Sequence, residues 1–303
     1  MAPSEVMVEV GSRTLKLTNL EKVLYPQTGF TKASVIDYYV RIAPIMLAHI
    51  GDRGITMRRF PDGVDAESFF NKRCPDWRPD WLTAARGPGE SDGPIDYCQL
   101  DEVASIAWAA NLAALEIHGP MARAGDMETP TMLVYDLDPG EGTGMTECCQ
   151  VAQLLAEVLD AVGLQAWPKT SGSKGLQLYV PLNTPHTHQH TSAFAKATGQ
   201  LLERDRPDQI TTTMGASRRV GKVLIDWSQN SRHKTTIAPY SLRARPTPTA
   251  STPVTWSEVD EGATGTPLVF EADHVLERVE AHGDLFAPTV STQQTLPGAS
   301  TDS

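Results

Sequence analysis

Leu133-Val134-Tyr135-Asp136-Leu137-Asp138-Pro139-Gly140 is an apolar run that ends in two acids, two residues apart. A strand carries residues i and i+2 on one face, so the two carboxylates form a pair near a strand end. Val223-Leu224-Ile225-Asp226-Trp227 sets a third acid at the end of another apolar run, where a bare charge is expensive to bury without a partner. Three such acids ask for cations. Hard oxygen donors suit Mg²⁺ or Mn²⁺, and two divalent ions can clamp the attacking and leaving oxygens of an in-line phosphoryl displacement. The pattern predicts a metal-dependent nucleotidyltransferase, with Asp136, Asp138 and Asp226 as its catalytic, metal-binding acids. The plain alternative is a turn at Asp-Pro-Gly whose carboxylates point to water.

Outward from these strands the chain alternates helical and extended patterns. Val6, Val8 and Val10 alternate before Gly11-Ser12, and Thr14 to Leu17 follows, which predicts a short hairpin. Thr18-Asn19-Leu20-Glu21 has the spacing of a capping box and predicts a helix start. Val35, Tyr39, Ile42, Leu47 and Ile50 predict the next helix, with a kink at Pro44. Val103 to Ile117 is nearly continuous in alanine and aliphatic residues, and Val151 to Val162 carries an apolar stripe, capped by Thr146 and ended by Gly163. Strands are predicted at Met132 to Leu137, Gln177 to Leu182 and Lys222 to Trp227. Arg245 to Pro253 is rich in proline and threonine and predicts a linker to a last helix around Asp273 to Ala281, with a disordered tail from 289 to 303. No internal repeat is present, which disfavours a solenoid.

Composition narrows the function. A net charge of -11 argues against a protein that coats nucleic acid by bulk attraction, so any such binding is local. Basic residues cluster at Arg53, Arg58 and Arg59, at Arg218, Arg219 and Lys222, at Arg232, His233 and Lys234, and at Arg243 and Arg245; three of these clusters bracket Asp226. Cys74, Cys98, Cys148 and Cys149 have no zinc-finger spacing and read as reduced thiols rather than a disulfide framework. No apolar run approaches a membrane span and no signal pattern opens the chain, so the expected location is the cytoplasm, with no membrane partner.

Other motifs carry a plain and a functional reading side by side. Ser171-Gly172-Ser173-Lys174-Gly175 is a glycine-rich hairpin turn whose small residues also let backbone N-H groups approach phosphate oxygens, with Lys174 adding charge. His118 closes the apolar run as a helix cap, the structural reading. His186, His188 and His190 alternate, yet no Cys or acid completes a metal site, which predicts a surface loop. Phe69-Phe70 is core by composition, or else a platform on which bases stack.

Taken together these segments resemble the polymerase domain of the bacterial ligase D family, a branch of the archaeo-eukaryotic primase superfamily. The likeness rests on Thr18-Asn19-Leu20-Glu21-Lys22-Val23-Leu24-Tyr25-Pro26, Ser68-Phe69-Phe70, Leu115-Glu116-Ile117-His118, Asp136-Leu137-Asp138-Pro139-Gly140-Glu141, Thr170 to Leu176, Asp226-Trp227-Ser228-Gln229-Asn230 and Lys234 to Arg243. The resemblance implies an α+β fold: a primase-type catalytic core with mixed or antiparallel sheets flanked by helices, plus an N-terminal module. It implies a single polymerase module over 1–288, with the N-terminal part about 1–60 and the core about 61–288.

By resemblance the metal acids fall on Asp136, Asp138 and Asp226, and the nucleotide pocket on His118, Ser171, Lys174, Arg219, Gln229 and Arg243. DNA contacts fall on Lys22 and Lys32 for a 5′-phosphate and on Phe69 and Phe70 for the template. The implied reaction is attack of a primer hydroxyl on the α-phosphate of a nucleoside triphosphate, with two Mn²⁺ or Mg²⁺ ions, at a DNA gap or broken end. Primase ability and use of ribonucleotides belong to the same resemblance, as do Ku and a separate DNA ligase as partners, since the chain has no room for ligase and nuclease modules. Where the family has histidine after Ser-Gly-Ser-Lys-Gly-Leu, this chain has Gln177, which cannot become a cation and so offers the triphosphate less charge support. Two rival readings follow from the same residues: a two-metal nuclease that activates water, and a catalytically weakened DNA-end-binding module.

Overall fold

The alternating valines make the expected hairpin: Glu5–Val10 pairs antiparallel with Arg13–Thr18, and Gly11 turns the corner at φ +59°. The protein, a computed structural model describing residues 5–89 and 93–298, continues from there into two units. The first comprises Met1–Pro120, Ile237–Ser251 and Phe270–Asp284, and the second Met121–Thr236, Thr252–Val269 and Leu285–Ser303. The N-terminal helix finds its polar partners in later segments of its own unit, Tyr240 and Leu115.

In the first unit Thr18-Asn19-Leu20-Glu21 starts no helix. Asn19 adopts φ +54°, which an α-helix cannot pass through, and the chain enters the strand Val23–Tyr25, paired with Phe30–Thr31. The functioning cap is Thr31, which accepts from Ser34 N and is answered by the Ser34 side chain at the head of the helix Lys32–Ile50. That helix buries Val35, Tyr38, Tyr39, Ile42, Met46 and Ile50, and Pro44 lies inside it. Tyr39 Oη donates to Leu115 O at 2.7 Å and accepts from Leu242 N at 3.1 Å.

The alanine-rich run is shorter as a helix than its composition predicts. The helix Val103–Asn111 stops, Ala113 turns at φ +57°, and Ala114–Gly119 is a strand paired antiparallel with Thr56–Arg59, which in turn pairs with Phe69–Asn71. Leu115-Glu116-Ile117-His118 alternates with period two, so Glu116 and His118 share a strand face, a signal masked by the apolar run before it. His118 is therefore a strand residue and caps no helix.

Cys74 and Cys98 form a disulfide, contrary to the reduced-thiol expectation. Cys74 N donates to Asp96 O at 2.7 Å beside the strand Ile95–Cys98, a proximity that a spacing of 24 residues does not announce. Cys148 and Cys149 are free and buried, as expected of thiols.

The second unit is built on a five-stranded mixed sheet in the order Trp167–Thr170, Leu176–Pro181, Met132–Pro139, Val223–Asp226, Ile210–Thr211. All neighbours are antiparallel except the last pair. The three predicted strands are all present, shifted by a residue or two at their ends. The helix Met145–Asp160 has Gly144 as its cap, with the Glu147 side chain accepting from Gly144 N, two residues earlier than a Thr146 cap. Only His186 of the histidine triplet lies in a loop, and it is buried; Thr187 accepts from His190 N and caps a helix His188–Asp205 that carries the other two. The expected linker leads to two helices, Trp256–Ala263 here and Ala272–His282 in the first unit.

The disordered tail is corrected for 289–298. Thr289 and Leu296 are buried, and Gln294 bonds to Leu182, Pro181 and Gln165, so the polar side chains of the tail serve as strand-end partners. Residues 299–303 of that expectation lie outside the described residues. Among the described residues no helix is long and apolar enough to cross a membrane.

Replacing Tyr39 by Phe strands the Leu242 N-H and frees the Leu115 carbonyl in a buried site. The expected cost is about 1–3 kcal/mol of unfolding free energy, read from the shift of a urea transition at unchanged slope. An unshifted midpoint would mean those groups find other partners.

Candidate active site

Strand register, rather than sequence distance, assembles the acids. Asp136 and Asp138 share a face of Met132–Pro139, and the antiparallel pairing sets Asp136 directly opposite Asp226. Two glycines allow the flanking chain to come close: a Cβ on Gly140 would stand 1.7 Å from Arg219 O, and one on Gly175 would stand 2.3 Å from Leu137 O. Burial, and then Asp138, pushes the Asp136 carboxyl well above its usual range; Asp226 adds to this, while the Gln177 hydrogen bond and the Lys169 charge oppose it.

The protein's own donors hold each carboxylate. Asp136 Oδ1 accepts from Gln177 Nε2 at 3.0 Å, and Asp138 Oδ2 lies 3.8 Å from Arg219 Nη2. Asp226 Oδ1 accepts from Ser228 N and Oγ at 2.8 and 2.6 Å, and its Oδ2 from Gln229 Nε2 at 2.9 Å. With these bonds made, no three Asp, Glu, His or Cys side chains among the described residues stand together as a ready metal-ligand set. The donor chemistry nonetheless fits a hard divalent cation: oxygen ligands, like charges in proximity, and an ionisation that burial resists.

The Asp226-Trp227-Ser228-Gln229-Asn230 motif has a local cause. Asp226 caps the 3₁₀ turn Trp227–Asn230, and Asn230 exchanges two hydrogen bonds of 2.8 Å with the backbone of Val134. The turn is thereby tied to the acid-bearing strand. Ser171 to Gly175 is the hairpin between Trp167–Thr170 and Leu176–Pro181; Ser171 Oγ accepts from Ser173 N and Gly175 N, and Gly172 takes φ +68°. Lys174 is exposed at its tip.

The first unit carries a cluster of opposite logic, one buried acid among cations. Glu116 Oε2 accepts from His118 Nε2 at 3.1 Å and lies 3.6 Å from Arg58 Nη1, while Oε1 accepts from Ala244 N at 3.2 Å and lies 3.5 Å from Arg243 Nε. Burial alone would raise the Glu116 carboxyl, but His118, Arg243 and the Ala244 amide outweigh it and bring it down to about 2. Burial lowers the His118 imidazole against the pull of Glu116, and because a carboxylate only accepts, Nε2 is the donor of their bond.

Phe69 and Phe70 are 47% and 60% exposed, so the core reading of this pair fails. Their strand is the outer partner of Thr56–Arg59; Arg59 lies over Phe69 at 5.1 Å and Arg58 over Phe70 at 5.3 Å, cations on flat aromatic faces. Lys22 pairs with Asp62 at 2.6 Å, and buried Lys32 donates to Thr18 O at 2.6 Å. Burial, with Lys22 and Arg59 near, lowers the Lys32 ammonium to about 8.

Arg219 Nε and Arg243 Nε are buried without a hydrogen-bond partner. Guanidinium N-H groups left in this state want oxygen acceptors. Composition and spacing missed two residues of these clusters: Glu116, which the alternation Leu-Glu-Ile-His signals in retrospect, and Lys169, which nothing local marks.

Known proteins resemble this chain in sequence and in fold. The family model described as LigD, primase-polymerase domain, matches residues 31–286. The multifunctional non-homologous end joining protein LigD of Mycolicibacterium smegmatis is 45% identical over 276 residues, 90% of this chain and 36% of that protein. The bifunctional non-homologous end joining protein LigD of Bacillus subtilis is 31% identical over 270 residues, 89% of this chain and 43% of that protein. The chain thus spans less than half the length of these relatives. The polymerase domain of Mycobacterium tuberculosis ligase D, solved in complex with DNA, is 43% identical with a TM-score of 0.87, over 92% of this chain and 99% of that one.

The Glu116 carboxyl sits below its unfolded value of 4.5, at about 2, so its ionised form favours the folded state. That contribution, on the order of 3 kcal/mol, is complete above about pH 5, shrinks as pH falls through 4.5, and is gone near pH 2. Denaturant titrations of the native protein and of Glu116→Gln should differ most at pH 6–8 and converge on acidification. A gap that widens toward low pH would reverse the assigned sign.

Proposed function

The chain belongs to the LigD primase-polymerase domain family, a class of DNA-directed nucleotidyltransferase, and from that premise we propose that it fills gaps and ends in DNA during break repair by non-homologous end joining. The observation that carries this reading is the register of Asp136 against Asp226 with Asp138 beside them, which gathers three acids on neighbouring strands. In this reading they hold two Mn²⁺ or Mg²⁺ ions, which when bound supply charge neutralisation and Lewis acidity at the reacting phosphate.

The chain's own residues do the rest. Lys174, Arg219 and Arg243 are assigned to the triphosphate; Arg219 Nε, buried with no hydrogen-bond partner, is the kind of donor a phosphate oxygen satisfies. Ser171, with its hydroxyl already drawing the loop amides together, orients the phosphates; His118 and Gln229 complete the nucleotide contacts. A primer hydroxyl attacks the α-phosphate and pyrophosphate leaves, the substrate being a ribo- or deoxyribonucleoside triphosphate. Phe69 and Phe70, exposed and backed by arginines, stack on template bases, while Lys22 and Lys32 receive the 5′-phosphate of a gap or end. Ku and a separate ligase are its proposed partners, in the cytoplasm, with charge so acidic overall that DNA contact stays local.

Primer extension on a 5′-phosphorylated gapped duplex, with Mn²⁺ or Mg²⁺ and either nucleotide class, tests the reading. The Asp136→Ala, Asp138→Ala double variant should lose at least about a thousandfold in rate, the several kcal/mol that metal-assisted charge stabilisation supplies. Full activity in that variant would remove the mechanism. Separately, the native protein should bind the phosphorylated gap about tenfold more tightly than an unphosphorylated one, and Lys32→Ala should erase the preference. Equal loss on both duplexes would deny Lys32 its phosphate.

A further inference from the structure

Lys169 is completely buried, although an ammonium taken out of water is costly unless the fold compensates it. The compensation runs along the sheet. Lys169 stands opposite Gln177, Gln177 opposite Asp136, and Asp136 opposite Asp226, so four adjacent strands line up one row of polar side chains on a single face. Lys169 Nζ donates to Gln177 Oε1 at 2.6 Å, and Gln177 Nε2 donates to Asp136 Oδ1 at 3.0 Å. Tyr179 flanks the row, its ring centroid 5.2 Å from Lys169 Nζ.

An ammonium has only donors and an ionised carboxylate only acceptors, so the residue between them must accept at one end and donate at the other. The amide of Gln177 does both, and the order of its neighbours fixes which way it faces: reversed, its NH₂ would meet the ammonium and its oxygen the carboxylate. Gln177 is itself buried, so this orientation is held without competition from water. An aliphatic residue here would break the row, leaving a buried ammonium at one end and a carboxylate oxygen without its donor at the other.

We propose that Lys169 and Gln177 are positioning residues that act in series: Lys169 orients the Gln177 amide, the amide holds Asp136 Oδ1, and the other carboxylate oxygen is kept for a divalent cation. The pair thereby sets the affinity of the acids for the metal. This inference rests on the reading of Asp136 as a metal ligand.

The full-length protein tests it through Mn²⁺ binding, followed by the electron paramagnetic resonance signal of free Mn²⁺ and independent of turnover. Gln177→Leu and Lys169→Met should each weaken Mn²⁺ binding about tenfold or more, the worth of a charge-assisted hydrogen bond. Half-saturating Mn²⁺ in primer extension should rise in parallel, while KM for the nucleotide at saturating Mn²⁺ stays within about twofold. Because the two act in series, the double variant should bind Mn²⁺ no worse than the weaker single variant. Gln177→His, whose imidazole can also accept and donate, should recover most of what Gln177→Leu loses. Melting curves guard against misfolding of Lys169→Met, and Gln177→Leu, close in volume to the native side chain, carries the test if that variant fails to fold. Unchanged Mn²⁺ binding in Gln177→Leu, with only a lower melting point, reduces the row to a strand staple and overturns the proposal; so do additive losses. An Asp136→Ala control separates the two readings: if it binds Mn²⁺ as the native protein does, the metal assignment itself falls, and if it loses binding while Gln177→Leu keeps it, only the relay does.

Discussion

Asp136 carries its carboxylate beside Asp138 on the same strand and faces Asp226 across to the next, so negative charge accumulates where burial already disfavours it. The rest of the second unit answers that constraint. Ser228 and Gln229 donate to Asp226, Gln177 donates to Asp136, Arg219 stands by Asp138, and Lys169 brings a buried positive charge up behind the row. A fold shaped only for stability would replace such a cluster with apolar packing at little loss. Holding it in a core strand costs stability that apolar packing there would keep.

The first unit solves the opposite problem. Glu116 is one acid among His118, Arg58 and Arg243, and its ionised form is stabilised rather than strained. An anchored carboxylate lets cations stay close together without repelling one another apart, and it accepts from His118 Nε2. The same unit leaves two phenylalanines exposed, each ring under an arginine of the neighbouring strand.

Much of this was legible in the chain. The two-residue period of Tyr135 to Asp138 predicted strand, acid pair and chemistry, and the apolar run before Asp226 predicted its partner. Misreadings followed a rule: they arose where composition was ambiguous or a single backbone angle decided. Alanine and leucine continue from 103 to 117 through both a helix and a strand, and the boundary is set by Ala113 at φ +57°. Thr18 to Glu21 matches a cap, but Asn19 turns left-handed there. Histidines at 186, 188 and 190 read as a surface loop, but Thr187 caps a helix that takes in the last two. The tail is polar enough to look disordered, yet Gln294 is a hydrogen-bond partner for strand ends, which only their exposure in the folded unit creates.

Local pattern by itself determined the three strands around the acids, the shared face of Asp136 and Asp138 and the hairpin with its glycines, because side-chain alternation and turn geometry are properties of a few consecutive residues. Which strand lies next to which, and in what register, was decided only by the tertiary structure. Shifting a strand by one residue sends every side chain to the other face, and no local rule forbids the shift. The facing of Asp136 and Asp226, the row from Lys169 through Gln177, the bond between Cys74 and Cys98, and the cations around Glu116 all depend on that long-range choice.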